Sequence, residues 1–142
     1  MDIVIDILAL IVSIIALIIS CKANKKSSDM QAGSVEMEIR SMIINAKNRF
    51  SDLSIQLNNQ QDNEILKKAI TAALEEVCNV YDEACMKYLD NKVDKKRFKK
   101  TYISEIKNWI NSEQVKDRYL VPQTKYNATV NVYAEWHNME NC

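Results

Sequence analysis

Residues 2–21, DIVIDILALIVSIIALIISC, decide how the chain is organised, because they read as one apolar helix with a single polar stripe. The stripe is Asp2, Asp6, Ala9, Ser13, Ala16 and Ser20, spaced alternately by four and three residues. Everything between these positions is Ile, Val or Leu. As an α-helix the run from Ile3 to Ser20 rises about 27 Å, at ~1.5 Å per residue, enough to cross most of a hydrocarbon core. Residues 1–21 are therefore expected to form a transmembrane helix. Lipid tails supply no hydrophobic drive between helices, so association in a bilayer relies on close packing of small residues and on polar contacts between helices. A seam with steps of three and four keeps facing a partner along a left-handed bundle. The helix is predicted to pack against copies of itself along this seam.

Lys22, Lys25 and Lys26 follow the apolar run and no Lys or Arg precedes it. That bias places the C-terminal side in the cytoplasm and the N-terminus outside. A cleaved secretory signal would call for a basic first region, where this chain has Met1 and Asp2. Ile18-Ile19-Ser20-Cys21 loosely resembles a lipoprotein cleavage site, but the acidic start opposes that reading too. Asp6 admits two roles. It can sit with Asp2 at the outer interface, where the cost of an ionised group shrinks. Alternatively, an oligomer stacks both as carboxylate rings at a cation-attracting pore mouth, with Ser13 and Ser20 as lining hydroxyls.

About 120 residues remain beyond the apolar run, enough for one modest domain. Omitting Asp2 and Asp6, 17 acidic residues face 19 basic ones, too small a surplus to argue for nucleic acid on bulk charge. The chain has one glycine, Gly33, and one proline, Pro122. A phosphate-cradling loop or a dinucleotide fingerprint needs several glycines in a tight turn. No Ser-His-Asp or Cys-His pair has a recognisable local context, so no catalytic residue is assigned and an enzyme is not expected. Cys21, Cys78, Cys85 and Cys142 lack CxxC spacing, and a cytoplasmic setting keeps thiols reduced. Neither disulfides nor a zinc site nor any other cofactor is expected. Cys78 and Cys85, seven residues apart, fall on one helical face as small buried groups, and the single His137 has no matching ligand cluster.

Residues 22–34 are polar and read either as a juxtamembrane linker or as an extension of the membrane helix, since Ala23 and Ser27 continue the small stripe. Apolar residues at helical spacing then run from Val35 through Ile39, Ile43, Ala46 and Phe50 to Leu57, and the polar cluster 58–63 ends them. A second long helix is predicted from about Asp62 to Leu89 as the core element. The turn 90–93 follows, and Asp94 is a natural N-cap for a third helix to about Asn111, with Phe98, Tyr102, Ile106 and Trp109 on one side. Ser112 is expected to cap a short segment through Tyr119. Pro122 breaks the chain, and Tyr126, Val130, Tyr133 and Trp136 or His137 mark a last helix. Residues 35–142 thus form a cytoplasmic antiparallel helical bundle, and the fold class is all-α.

One local feature suggests a ligand. Lys92, Lys95, Lys96, Arg97, Lys99 and Lys100 place six positive charges in nine residues, opposed only by Asp94. Phosphates favour such a patch, and oligomerisation would multiply its field. A charged face opposite Phe98 and Tyr102 is also what ordinary solvated helix surface looks like. Under the functional alternative, Lys96, Arg97, Lys99 and Lys100 hold an oligonucleotide backbone. The aromatic residues Tyr102, Trp109 and Tyr133 are assigned to the core rather than to base stacking.

Three segments, Leu74 through Cys85, Asp94 through Tyr102, and Tyr126 through Trp136, resemble a bacterial family of small proteins with one N-terminal span and a helical cytoplasmic domain. That family is similar to the membrane effectors of antiphage systems, including the Hailong type. In those systems a nucleotidyltransferase makes an oligonucleotide signal and the membrane partner responds. The resemblance covers most of residues 30–140 and carries no catalytic motif. It implies an effector of the bacterial inner membrane: a homo-oligomeric ion channel or pore, with four copies expected, controlled by an oligonucleotide or by the enzyme that makes it. The alternative from another class is a membrane-anchored interaction or scaffold module without conductance, which would tolerate Asp6→Leu and Ser13→Leu where a pore would not.

Overall fold

The computed structural model describes the backbone of residues 2–59 and 63–140, and the side chains of these except 2–6, 9, 59, 139 and 140. Among the described residues it is all-helical. Five helices follow one another: α1 (Asp2–Asn59), α2 (Glu64–Leu89), α3 (Lys95–Ile110), α4 (Lys116–Tyr119) and α5 (Asn127–Glu140).

The first helix is unbroken for 58 residues, about 87 Å at ~1.5 Å per residue. Residues 22–34 are therefore helical throughout and belong to the same helix as the apolar run. Gly33 lies inside the helix with nothing within 4 Å of where its Cβ would be. A mid-helix glycine costs only about 1 kcal/mol relative to alanine, too little to interrupt a helix that continues on both sides. Only the C-terminal half of α1 is packed. Ile39, Ile43 and Ala46 are buried, with Val35, Met42 and Phe50 half-buried beside them. Steps of four and three put these side chains on one face, and that face lies on α2.

Ion pairs fix the helix directions. Glu38 pairs with Lys87 and Arg49 with Glu76, so α2 runs antiparallel to α1. Glu36 pairs with Arg97 and Lys47 with Glu105, so α3 runs parallel to it. Asn63 caps α2 by accepting from the N–H groups of Ile65 and Leu66, so the helix begins at Glu64. At its far end the Asn91 N–H donates to the Tyr88 carbonyl and the Lys92 N–H to the Lys87 carbonyl, closing a Schellman turn. Asn91 occupies the left-handed position with φ 57°, one that asparagine tolerates. Asp94 then caps α3 through the Arg97 N–H, as its sequence context predicts.

Two local expectations need correction. Ser112 does not cap α4 with its side chain. Its carbonyl accepts from the N–H groups of Val115 and Lys116, while its hydroxyl is buried without a partner among the described residues. The inward face of α5 is Thr129, Val132 and Trp136, with Tyr126 buried just ahead of the helix, whereas Val130 and Tyr133 are half-buried. The cause is Asp82 of α2, one carboxylate oxygen of which accepts both the Thr129 N–H (2.9 Å) and the Thr129 hydroxyl (3.0 Å). A carboxylate at a helix N-terminus satisfies a free amide and meets the positive end of the helix dipole. Here that group comes from another helix, and α5 has no acidic residue in its own first turn.

The core is aromatic at one end. Phe98, Tyr102, Tyr88 and Trp136 pack with ring centroids 4.7–6.3 Å apart. Their polar atoms are used: the Trp136 indole N–H donates to the Tyr88 hydroxyl, which donates to Glu135. Replacing Asp82 with alanine is expected to destabilise the bundle by about 2 kcal/mol, since it leaves two buried donors unmet. Thr129→Val should cost less, because it loses one of the two bonds. Urea unfolding of the full chain, followed by tryptophan fluorescence, reads both.

Candidate functional site

The basic helix is built on the Asp94 cap. Because Asp94 opens α3, Phe98, Tyr102, Ile106 and Ile110 turn into the core, the far face carries Lys96, Lys100 and Lys107, and Lys99 sits on the flank beside the core residues. Lys96, Lys100 and Lys107 are exposed and Lys99 is half-buried. Among the described residues no carboxylate pairs with Lys96, Lys99 or Lys100. Of the four residues assigned to an oligonucleotide backbone, Lys96 and Lys100 therefore share an open cationic face, with Lys99 half-buried at its edge.

Arg97 is separated from them. Its guanidinium makes a fork on Glu36 of α1, with Nη2 at 2.8 Å from one carboxylate oxygen and Nε on the other. The first of these oxygens also accepts the Asp94 N–H at 3.0 Å. The hydrogen bond to Glu36 and its charge raise the Arg97 pKa further. Arg97 is a clamp between α1 and the start of α3, and its charge is already matched. Lys95 is also engaged, 5.0 Å above the Tyr88 ring.

The seam residues stand apart from this face. Ser13, Ala16 and Ser20 are exposed on α1, while the side chains of Asp2, Asp6 and Ala9 lie outside the described residues. Around them the large apolar side chains of residues 7–19 are 48–66% exposed on every side of the helix. Among the described residues no helix carries a stretch long and apolar enough to cross a membrane. Residues 7–20 alone rise about 21 Å, short of a ~30 Å hydrocarbon core. The predicted span also needs residues 3–6, whose side chains are not described.

Sequence reasoning missed the groove between α1 and α3. One part, about 390 Å³, is bordered by Arg40, Ile44, Lys47, Tyr102 and Glu105. The other, about 380 Å³, shares Arg40, Thr101 and Tyr102 and continues past Glu36 to Asp29. Its pairs join residues some sixty positions apart, so no local motif announces it. Across the bundle, a hollow of about 400 Å³ between α2 and the segment that leads into α5 is lined by Asp82, Glu83 and Asp90 along with Lys87 and Lys125. An anionic ligand has no reason to enter the latter.

The buried thiols are chemically quiet. Desolvation raises the Cys78 thiol and pushes that of Cys85 up to about 12, so neither is a ready nucleophile. Trp109 is half-buried and donates to the Tyr119 hydroxyl at 3.2 Å, placing it in the core region. Tyr133 stacks on His137. Among the described residues no group of three or more His, Cys, Asp or Glu side chains is placed to hold a metal ion.

No family model, curated protein or solved structure matches the chain. The resemblance to antiphage membrane effectors therefore rests on the quoted sequence segments alone.

Two measurements test the geometry. Reversing Lys96, Lys99 and Lys100 to glutamate should weaken binding of a short single-stranded oligonucleotide and flatten its log–log salt slope by about 2, at ~0.7 per phosphate contact. Arg97→Ala should leave that slope unchanged and lower unfolding stability instead. The second concerns Glu105. Burial raises its carboxyl, but hydrogen bonds from Lys47 (2.8 Å) and Tyr81 (2.7 Å) outweigh this, so the net pKa is lowered. A carboxyl lowered in the folded state adds stability above its unfolded pKa and loses it as pH falls through the folded value. Stability should therefore fall below about pH 4.5, and the fall should be shallower in Glu105→Gln, as read by urea midpoints from pH 6 to 3.

Proposed function

We propose that the protein is a membrane-anchored effector that assembles through α1 into a homo-oligomeric, most simply tetrameric, ion channel or pore. Its helical domain faces the cytoplasm and senses an anionic ligand. The observation that carries this reading is the N-terminal third of α1, where ten large apolar side chains from Ile7 to Ile19 are about half exposed or more. Soluble monomers rarely leave contiguous apolar patches beyond a few hundred Å². Lipid covers such a surface on most sides, and a second copy covers the stripe of Ser13, Ala16 and Ser20. The full run from Ile3 to Ser20 rises about 27 Å, and Lys22, Lys25 and Lys26 end it at the cytoplasmic interface.

The cationic face of α3 supports the sensing part. Two sources of phosphate suggest themselves, the headgroups of the bilayer and a soluble oligonucleotide. Distance decides between them. Glu36, which anchors the start of α3, lies 16 residues beyond Ser20, about 24 Å along a straight helix. The Debye length in physiological salt is about 8 Å, so a bilayer surface at that distance is screened. The same face remains open to a soluble oligonucleotide, in keeping with the resemblance to effectors that answer a nucleotidyltransferase. The proposed role is non-enzymatic: ligand binding changes how the α1 helices pack, and thereby conduction.

The purified full-length chain in a planar bilayer should give discrete current steps that short single-stranded oligonucleotides alter. Asp6→Leu and Ser13→Leu should abolish the steps or the assembly. A silent bilayer with oligomers present would instead favour the anchored interaction module.

A further inference from the structure

The small stripe of α1 does not stop at the membrane segment. Continued in the same register, every seventh residue from Ser13 is Ser20, Ser27, Ser34, Ser41, Asn48 and Ile55. The intervening positions are Ala16, Ala23, Met30, Met37, Ile44 and Ser51. The spacing is that of a heptad with the first set at a and the second at d; from Ser20 to Ile55 four of these positions are large and apolar and the others are Ser, Ala or Asn. From Ser20 to Ile55 every one of these side chains is exposed, including Met30 (63%), Met37 (71%), Ile44 (46%) and Ile55 (57%).

The packing of the domain explains why this face is left open. Ile39 and Ala46 occupy f positions, Ile43 and Phe50 occupy c positions, and Val35 and Met42 occupy b positions. These are the outward positions of a coiled-coil helix, and here they form the side turned to the bundle. Helix α2 borders the seam at Glu38, an e position, and α3 borders it at Lys47, a g position. One helix thus has an outer side committed to its own domain and an exposed inner side with coiled-coil spacing, along which Met37 and Ile44 also border the groove to α3.

We infer that α1 is the central strand of a parallel, in-register coiled coil with further copies of this chain, extending from the membrane segment to Ile55 with the bundles arranged outside. A helix that needed only to stay in water would not hold four large apolar side chains in register with a membrane seam over five heptads. Asn48 at an a position would lie opposite its own copies, a placement that sets register and oligomer state in coiled coils. The area argues for the whole helix. A strip about 10 Å wide from Ser27 to Ile55 covers about 420 Å² per copy, half of the ~800 Å² that a stable interface needs. Beginning the strip at Asp6 brings it to about 740 Å². The parallel sense rests on the proposed membrane reading, since all copies would enter the bilayer from one side.

Single cysteines scanned through residues 27–56 of the full-length chain test this, in a background with Cys21→Ser and Cys142→Ser. The chain is expressed in bacterial cells, and isolated membranes and the soluble fraction are each oxidised with copper phenanthroline. A disulfide forms only where two Cα atoms come within about 7 Å. Cross-linked species are expected for Met30→Cys, Met37→Cys and Ile44→Cys, and not for the exposed outer positions Arg49→Cys and Gln56→Cys. Equal cross-linking at all positions, or peaks away from a and d, would overturn the seam even if the protein sits in the membrane and conducts. Cross-links with a and d periodicity in chains found only in the soluble fraction would support the seam and remove the membrane reading.

Discussion

The structure depends on one face of α1. Ile39, Ile43 and Ala46 have almost no exposure, and their burial against α2 determines which way the rest of that helix is turned. A buried isoleucine is worth about 1.5–3 kcal/mol relative to an exposed one, so rotating α1 by even one residue position would lose several such contributions at once. With that rotation set, Glu36 meets Arg97, Lys47 meets Glu105, and the stripe that begins in the apolar segment faces away from the bundle. The ion pairs follow from the packing rather than drive it. Most are exposed, where a pair contributes up to about 1 kcal/mol, and they serve to choose helix direction.

Polar groups inside the bundle are handled by a few shared acceptors. Glu105 takes both Lys47 and the Tyr81 hydroxyl, Glu135 takes the Tyr88 hydroxyl, and Asp82 takes both donors of Thr129. Each ties an inner residue to a second or third helix. Desolvation raises the Tyr81 and Tyr119 hydroxyls well above the ordinary tyrosine range, so both stay protonated, Tyr81 donating to Glu105 and Tyr119 accepting from the Trp109 indole. These links join α5 to α2, and α3 to both long helices.

Much of this was legible in the sequence, and the exceptions have physical causes. The periods of α2 and α3, and the Asp94 cap, are local patterns and could be read directly. Local composition does not decide the continuity of α1 through residues 22–34, because polar residues and one glycine argue for a linker while helix cooperativity argues against it. Ser112 has the side chain of a cap but caps with its carbonyl. In α5 hydrophobicity alone favoured Val130 and Tyr133 as the inward pair. Thr129 took the place because Asp82, 47 residues away, satisfies it. Arg97 read as one of several equivalent cations until Glu36 engaged it from a distant helix. Pairing across helices decides all of these last cases, and no local window contains it.

A single rod from the apolar segment to Asn59 also has a mechanical meaning. Helical structure runs through it without a break, and among the described residues the bundle grips its lower part. The exposed remainder is an arm of about 50 Å, measured from Ile39 back toward the N-terminus. A tilt of about 5° at the grip moves the far end by roughly 4 Å, close to the width of a methyl group. Small adjustments of the domain are thus geared up rather than damped, and anything that steadies the bundle steadies the distant end of the same rod.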